Sequence, residues 1–119
     1  MAKVLRQEEP GSTPLPETAD ALVESGWRHY SKKEYYRAEA DFQKALEVTP
    51  DHPDTLYALG MTQQASGRSP DAIETFEKVI QILEQADEGQ KIDPVRAHMM
   101  ARLARGHINR IKTGDWQLG

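Results

Sequence analysis

The sequence contains no cysteine. That absence removes disulfides, thiolate zinc sites, iron–sulfur clusters and cysteine nucleophiles. It also fits a reducing compartment, and a cytoplasmic location is expected. Long apolar runs are missing too. The longest are a few residues, against about 20 needed to span a bilayer, so no membrane association is expected. The first 18 residues lack the apolar middle of a signal peptide. No Gly-rich phosphate loop, His-Glu-x-x-His or Gly-x-Ser-x-Gly occurs. The four histidines, His29, His52, His98 and His107, show no i,i+4 pairing that would hold a metal. The expectation is a protein without catalysis, metal or cofactor. Excess positive charge is also absent. The net charge of −4 and pI near 5.5 speak against a bulk polyanion binder, and nucleic acid is not an expected partner.

What is present is a repeat. The 119 residues make one domain, and a 38% apolar content suits a thin, elongated core. A shift of thirty-four residues pairs Leu22 with Leu56, Gly26 with Gly60, Ala38 with Ala72, Phe42 with Phe76 and Lys44 with Lys78. Similar residues pair as well: Ala45 with Val79, Leu46 with Ile80 and Val48 with Ile82. The matches recur at helical spacings of three, four and seven. Each unit divides into two helices. The first unit places helices over 17–32 and 34–48, and Pro50 and Pro53 break the chain after them. In the second unit Pro53 starts a helix to about Ser66, and Gly67 ends it at positive φ. Ser69 caps the next helix, which carries Pro70 in its first turn and runs to about Ala86. Asp87 to Ile92 is a polar loop. Asp93-Pro94 repeats the start signal for a fifth helix, which Thr113-Gly114 terminates.

These residues resemble the tetratricopeptide repeat (TPR) family. The pattern is a large apolar residue, a small residue four later, and Ala-x3-aromatic in the second helix. Here it is Leu22, Gly26, Ala38 and Phe42, with Ala45 and Pro50 following; the second copy is Leu56, Gly60, Ala72 and Phe76. The resemblance implies an all-α fold of helix-turn-helix repeats, five helices in a short right-handed superhelix. Gly26 and Gly60 would let paired helices approach, with Ala38 and Ala72 opposite them and Phe42 and Phe76 filling space between units. The organisation follows: a flexible leader over 1–16, then one domain over 17–119. Repeat one is 19–52, repeat two 53–86, and a capping helix or partial third repeat 93–116. Departures are visible. Ser25 stands where Leu59 stands, and His29 and Gln63 replace an aromatic. Glu84 replaces a terminating proline, so the fourth helix should overrun. The fifth helix aligns if Met100, Leu103, Ala104 and His107 stand for Leu56, Leu59, Gly60 and Gln63, across an insertion of about ten residues. Val95, Met99, Met100, Leu103, Ile108 and Ile111 would then cover the end of the stack.

The resemblance also implies a function: non-catalytic protein–protein interaction, with a peptide or helix of a partner held in the concave groove. The first helix of each unit would line that groove. Its stripe is Val23, Trp27 and Tyr30 in the first unit, and Tyr57, Met61 and Gln64 in the second. Trp and Tyr are enriched at binding hot spots, and Met adapts to irregular partners. The clamp for a C-terminal carboxylate, which some TPR domains carry, lacks its Lys and Asn; Val23, Trp27 and Ala58 stand there. The competing reading is that helix five or the leader folds into the groove. Two other functions remain open. One is homo-oligomerisation through the incomplete third repeat. The other is an anionic partner on a basic stripe of His98, Arg102, Arg105, Asn109 and Lys112. Charge is divided along the chain: residues 69–92 carry six acids and two bases, and residues 93–119 five bases and two acids. The blander reading turns the basic stripe toward the acidic fourth helix or solvent.

Overall fold

A computed structural model describes residues 18–85 and 92–114. The leader over 1–16, the loop residues 86–91 and Trp116 lie outside the described residues. Five α-helices follow one another: α1 (Ala19–Ser31), α2 (Tyr35–Val48), α3 (Pro53–Ala65), α4 (Ser69–Gln85) and α5 (Pro94–Thr113). There is no strand among the described residues. The main packing is between neighbours in sequence, each helix against the next.

Local chemistry sets the helix ends. Thr18 caps α1, its hydroxyl accepting from the Ala21 N–H at 3.1 Å. Asp93 caps α5 in the same way through Val95, with Pro94 at the first helical position. Ser69 is the first residue of α4 rather than its cap, because the Ala72 N–H already donates to the Arg68 carbonyl. Gly67 and Gly114 take left-handed φ values of 85° and 79° and end α3 and α5. Lys33 does the same after α1 at φ 64°, although its side chain disfavours that conformation. Helix α4 runs three residues beyond the place where α2 ends, as the missing proline implies.

The repeat is built on a ring over a missing side chain. A Cβ added at Gly26 would lie 2.6–2.9 Å from three Phe42 ring carbons, and one at Gly60 2.8–3.0 Å from three of Phe76. The rings therefore face the glycines, where Ala38 and Ala72 were expected. Both rings are fully buried. Phe42 also packs with Ala38, Ala58 and Leu59, so it joins its own unit to the next. Phe76 lies in a larger core with Leu56, Ala72, Val79 and Leu83 of α3 and α4 and Ala101, Ala104, Ile108 and Ile111 of α5. Fully burying one such ring stabilises by about 1.5–3 kcal/mol.

A polar seam crosses between the units. Glu39 is buried, and its carboxylate accepts from both terminal guanidinium nitrogens of Arg68, Nη2 at 2.7 Å. Arg68 also reaches Asp71 at 3.1 Å. Contact with Glu39 holds the Arg68 pKa above its ordinary value. Gln63 donates to Glu39 at 3.4 Å and accepts from Thr75 at 2.7 Å. In the first unit, Ser25 donates to Asp41 at 2.6 Å, and His29 meets Glu34 at 2.7 Å. The bond to His29 pulls the Glu34 pKa below the ordinary carboxylate value. Thus Ser25 and His29 form a satisfied polar patch where the second unit carries Leu59 and Gln63.

The expected alignment set Leu103 and Ala104 of the fifth helix on Leu59 and Gly60. Ala104 is buried like Gly60, together with Ala101, Ile108 and Ile111, whereas Leu103 is exposed and Leu59 is buried. Of the six apolar residues expected to cover the stack, Ile108 and Ile111 are buried and Met100 is half-buried. Val95, Met99 and Leu103 are 67%, 58% and 55% exposed. A helix has one face toward its neighbour, and these three lie on the other.

Candidate partner-binding surface

Each first helix carries its stripe at i, i+4 and i+7, which places three side chains on one face. Trp27 is 39% exposed, while Val23 and Tyr30 are half-buried. Trp27 meets Tyr30 edge-on at 5.3 Å between ring centres and Phe42 at 5.4 Å. Tyr30 continues the row to Tyr35 at 5.6 Å. Buried Phe42 thus anchors the exposed indole from beneath, which limits the side-chain freedom a partner would have to freeze. Tyr57, Met61 and Gln64 on α3 are all half-buried. Partial burial raises the pKa of both Tyr30 and Tyr57, and each hydroxyl stays protonated at neutral pH.

Helix α5 adds a third row: Leu103, His107 and Arg110 have the i, i+4, i+7 spacing of Tyr57, Met61 and Gln64 and adjoin them through His107. His107 stacks flat on Phe76, 4.8 Å between ring centres with planes 4° apart. The Tyr57 hydroxyl and His107 Nε2 share a hydrogen bond at 2.9 Å, and His107 Nδ1 lies 3.0 Å from Gln64 Oε1 and 3.3 Å from the Arg110 guanidinium. Burial, and then the nearby Arg110 guanidinium, lower the His107 pKa from 6.5. Tyr57 and Gln64 are therefore tied to α5, whereas Trp27 and Tyr30 meet no residue of that helix in a ring contact or hydrogen bond among the described residues.

Beyond Tyr57 the surface opens into a concavity of about 360 Å³ with Val95, Met99, Met100 and Leu103 in its wall. A second, of about 290 Å³, lies between the starts of α3 and α5. Arg96 and Asp54 line it and form an ion pair at 2.7 Å. The basic stripe is in place on α5, with His98, Arg102, Arg105, Asn109 and Lys112 all exposed. Arg105 is bound to Glu84 of α4, so part of the stripe serves the adjacent helix. Among the described residues no group of three or more His, Asp and Glu side chains is placed to hold a metal ion. No helix there is long and apolar enough to cross a membrane.

Comparison with known proteins agrees with this geometry. A family model described as tetratricopeptide repeat matches residues 17–85. The cellulose synthase operon protein C of Pseudomonas fluorescens (strain SBW25) is 42% identical over 52 residues, covering 41% of this chain and 4% of that protein. The superkiller complex protein 3 of Mus musculus is 40% identical over 50 residues, covering 42% of this chain and 3% of that protein. The chain thus spans a few per cent of the length of these curated relatives.

Proposed function

Because the chain belongs to the tetratricopeptide repeat family, whose members generally mediate protein–protein interaction, we propose that it is a non-catalytic module that holds a peptide or helix of a protein partner along the α1–α3 stripe. The observation that carries this reading is Trp27. A large ring is left 39% exposed beside Tyr30, on a buried Phe42 that fixes its position. Rigid, half-exposed aromatic rings are the residues on which binding energy concentrates. Val23 and Met61 would add adaptable apolar contact at either end of the row. Tyr57 and Gln64 would act through the bonds they already make to His107.

The test is partner capture by the full chain and by two variants. Trp27→Ala removes the central ring, and Tyr36→Ala removes a more exposed ring on α2, outside the row. Partner recovery should fall at least tenfold for Trp27→Ala, which is a loss of about 1.4 kcal/mol or more. It should stay unchanged for Tyr36→Ala, with equal helicity in both. Wild-type recovery by Trp27→Ala would refute the reading.

A further inference from the structure

In the first two units the glycine-bearing face of the first helix is covered by the helix that follows, through Phe42 on Gly26 and Phe76 on Gly60. Helix α5 also carries a glycine, Gly106, and ends at a left-handed glycine, Gly114. Yet among the described residues a Cβ at Gly106 would meet nothing nearer than the tip of Arg110, at 3.4 Å. One side of this face carries Val95, Met99 and Leu103, one helical turn apart and all more than half exposed. Helix α5 thus turns three large apolar side chains and the half-buried Gly106 away from α4.

Charge says what the face would accept. Helix α5 contains five bases, Arg96, Arg102, Arg105, Arg110 and Lys112, and no acid. Arg96 and Arg105 are already paired, with Asp54 and Glu84. Arg102 and Arg110, beside Leu103 and Gly106 on the helical wheel, have no carboxylate within ion-pair distance among the described residues. A second copy laid on the same face would oppose these cations to their own kind, which is unfavourable. A nucleic acid would leave the apolar row unused.

We propose that the free face of α5 is a docking surface for an acidic amphipathic helix of a protein partner. Its apolar residues would lie along Val95, Met99 and Leu103, with one large ring seated over Gly106. Its acidic flank would meet Arg102 and Arg110. The partner helix would repeat for α5 what α4 does for α3. This surface adjoins the proposed groove at Tyr57 and shares Leu103 and Arg110 with its third row; Trp27 lies on α1, outside it, so Trp27→Ala separates failure of one reading from failure of the other.

The probes are two synthetic peptides of about 18 residues, long enough as helices to span about 27 Å. They share one pattern of Leu and a central Phe, flanked by Glu in one and by Lys in the other. Each is labelled with fluorescein and titrated with the full chain at low salt and near 0.15 M. The Glu peptide should bind at least tenfold more tightly than the Lys peptide, with the gap narrowing as salt rises. Met99→Glu and Gly106→Leu should each weaken it at least tenfold while circular dichroism stays unchanged. Arg102→Glu with Arg110→Glu should reverse the preference between peptides. Trp27→Ala should change nothing. Equal affinity for both peptides, or no binding of either, would overturn the proposal. So would Glu-peptide binding that survives Met99→Glu. Self-association of the free chain that Met99→Glu abolishes would assign the face to a second copy instead. Binding that emerges only in Trp116→Ala would assign it to the chain's own C-terminal residues.

Discussion

One substitution should have opposite signs among three helical glycines. Glycine to alanine in a helix interior ordinarily stabilises by about 1 kcal/mol, because Gly loses more backbone freedom on folding. At Gly26 and Gly60 the added methyl meets a ring. The gaps of 2.6 Å and 2.8 Å to the nearest ring carbons are far inside the 3.5–4.0 Å optimum for carbon pairs. Neither ring has free space to retreat into. Phe42 is pinned by Trp27, and Phe76 is held between Tyr57 at 5.6 Å and His107 at 4.8 Å. Overpacking of this kind costs about 1–3 kcal/mol, and the sub-3 Å gaps to fully buried rings place both sites toward its upper half. After the propensity gain, Gly26→Ala and Gly60→Ala should each destabilise by about 1–2 kcal/mol. Gly106→Ala meets only the movable end of Arg110 and should stabilise by about 0.5–1 kcal/mol. Urea unfolding followed by circular dichroism gives the three values, and 1 kcal/mol corresponds to about 4–8 °C in Tm for a domain this size. A second variant separates the clash from other causes: Phe76→Leu should make Gly60→Ala less costly. A stabilising Gly60→Ala, or a Gly106→Ala as damaging as the other two, would refute the ring-over-glycine account.

Two further outcomes follow from named residues. The His107 pKa is lower in the folded protein than its ordinary 6.5, so the unfolded chain binds its proton first as pH falls. Stability should therefore drop as pH goes from about 7 down through 6.5 and below, and His107→Gln should flatten that drop; equal slopes in melting experiments would exclude His107 as its source. Lys33 holds a left-handed φ of 64° that Gly67 holds in the second unit at 85°. Lys33→Gly should raise stability by about 0.5–1 kcal/mol in the same urea assay, and a loss would show that Lys33 makes a compensating contact.

Much of the fold was legible because a repeat states its pattern twice. Leu22, Gly26, Ala38 and Phe42 reappear thirty-four residues on, and Pro53, Gly67, Asp93 and Gly114 punctuate the helices through short-range chemistry. The Glu39–Arg68 pair was not legible. Ile73 stands at the equivalent place in the second unit, and the two partners are 29 residues apart, joined by neither period nor spacing. The third row of Leu103, His107 and Arg110 was hidden for a related reason. An insertion breaks the thirty-four-residue period, and an apolar helix then offers several registers at nearly equal cost.

By itself, then, the sequence determined the family, the helices and the glycine–phenylalanine repeat, because these rest on local propensity and on a period written in the chain. Tertiary structure decided which faces were left over. It turned Ile108 and Ile111 inward and Val95, Met99 and Leu103 outward, bound His107 to Tyr57 and Gln64, and left Gly106 without a ring among the described residues. The apolar residues of α5 can satisfy more than one rotation about the helix axis, and only packing against α4 selects among them.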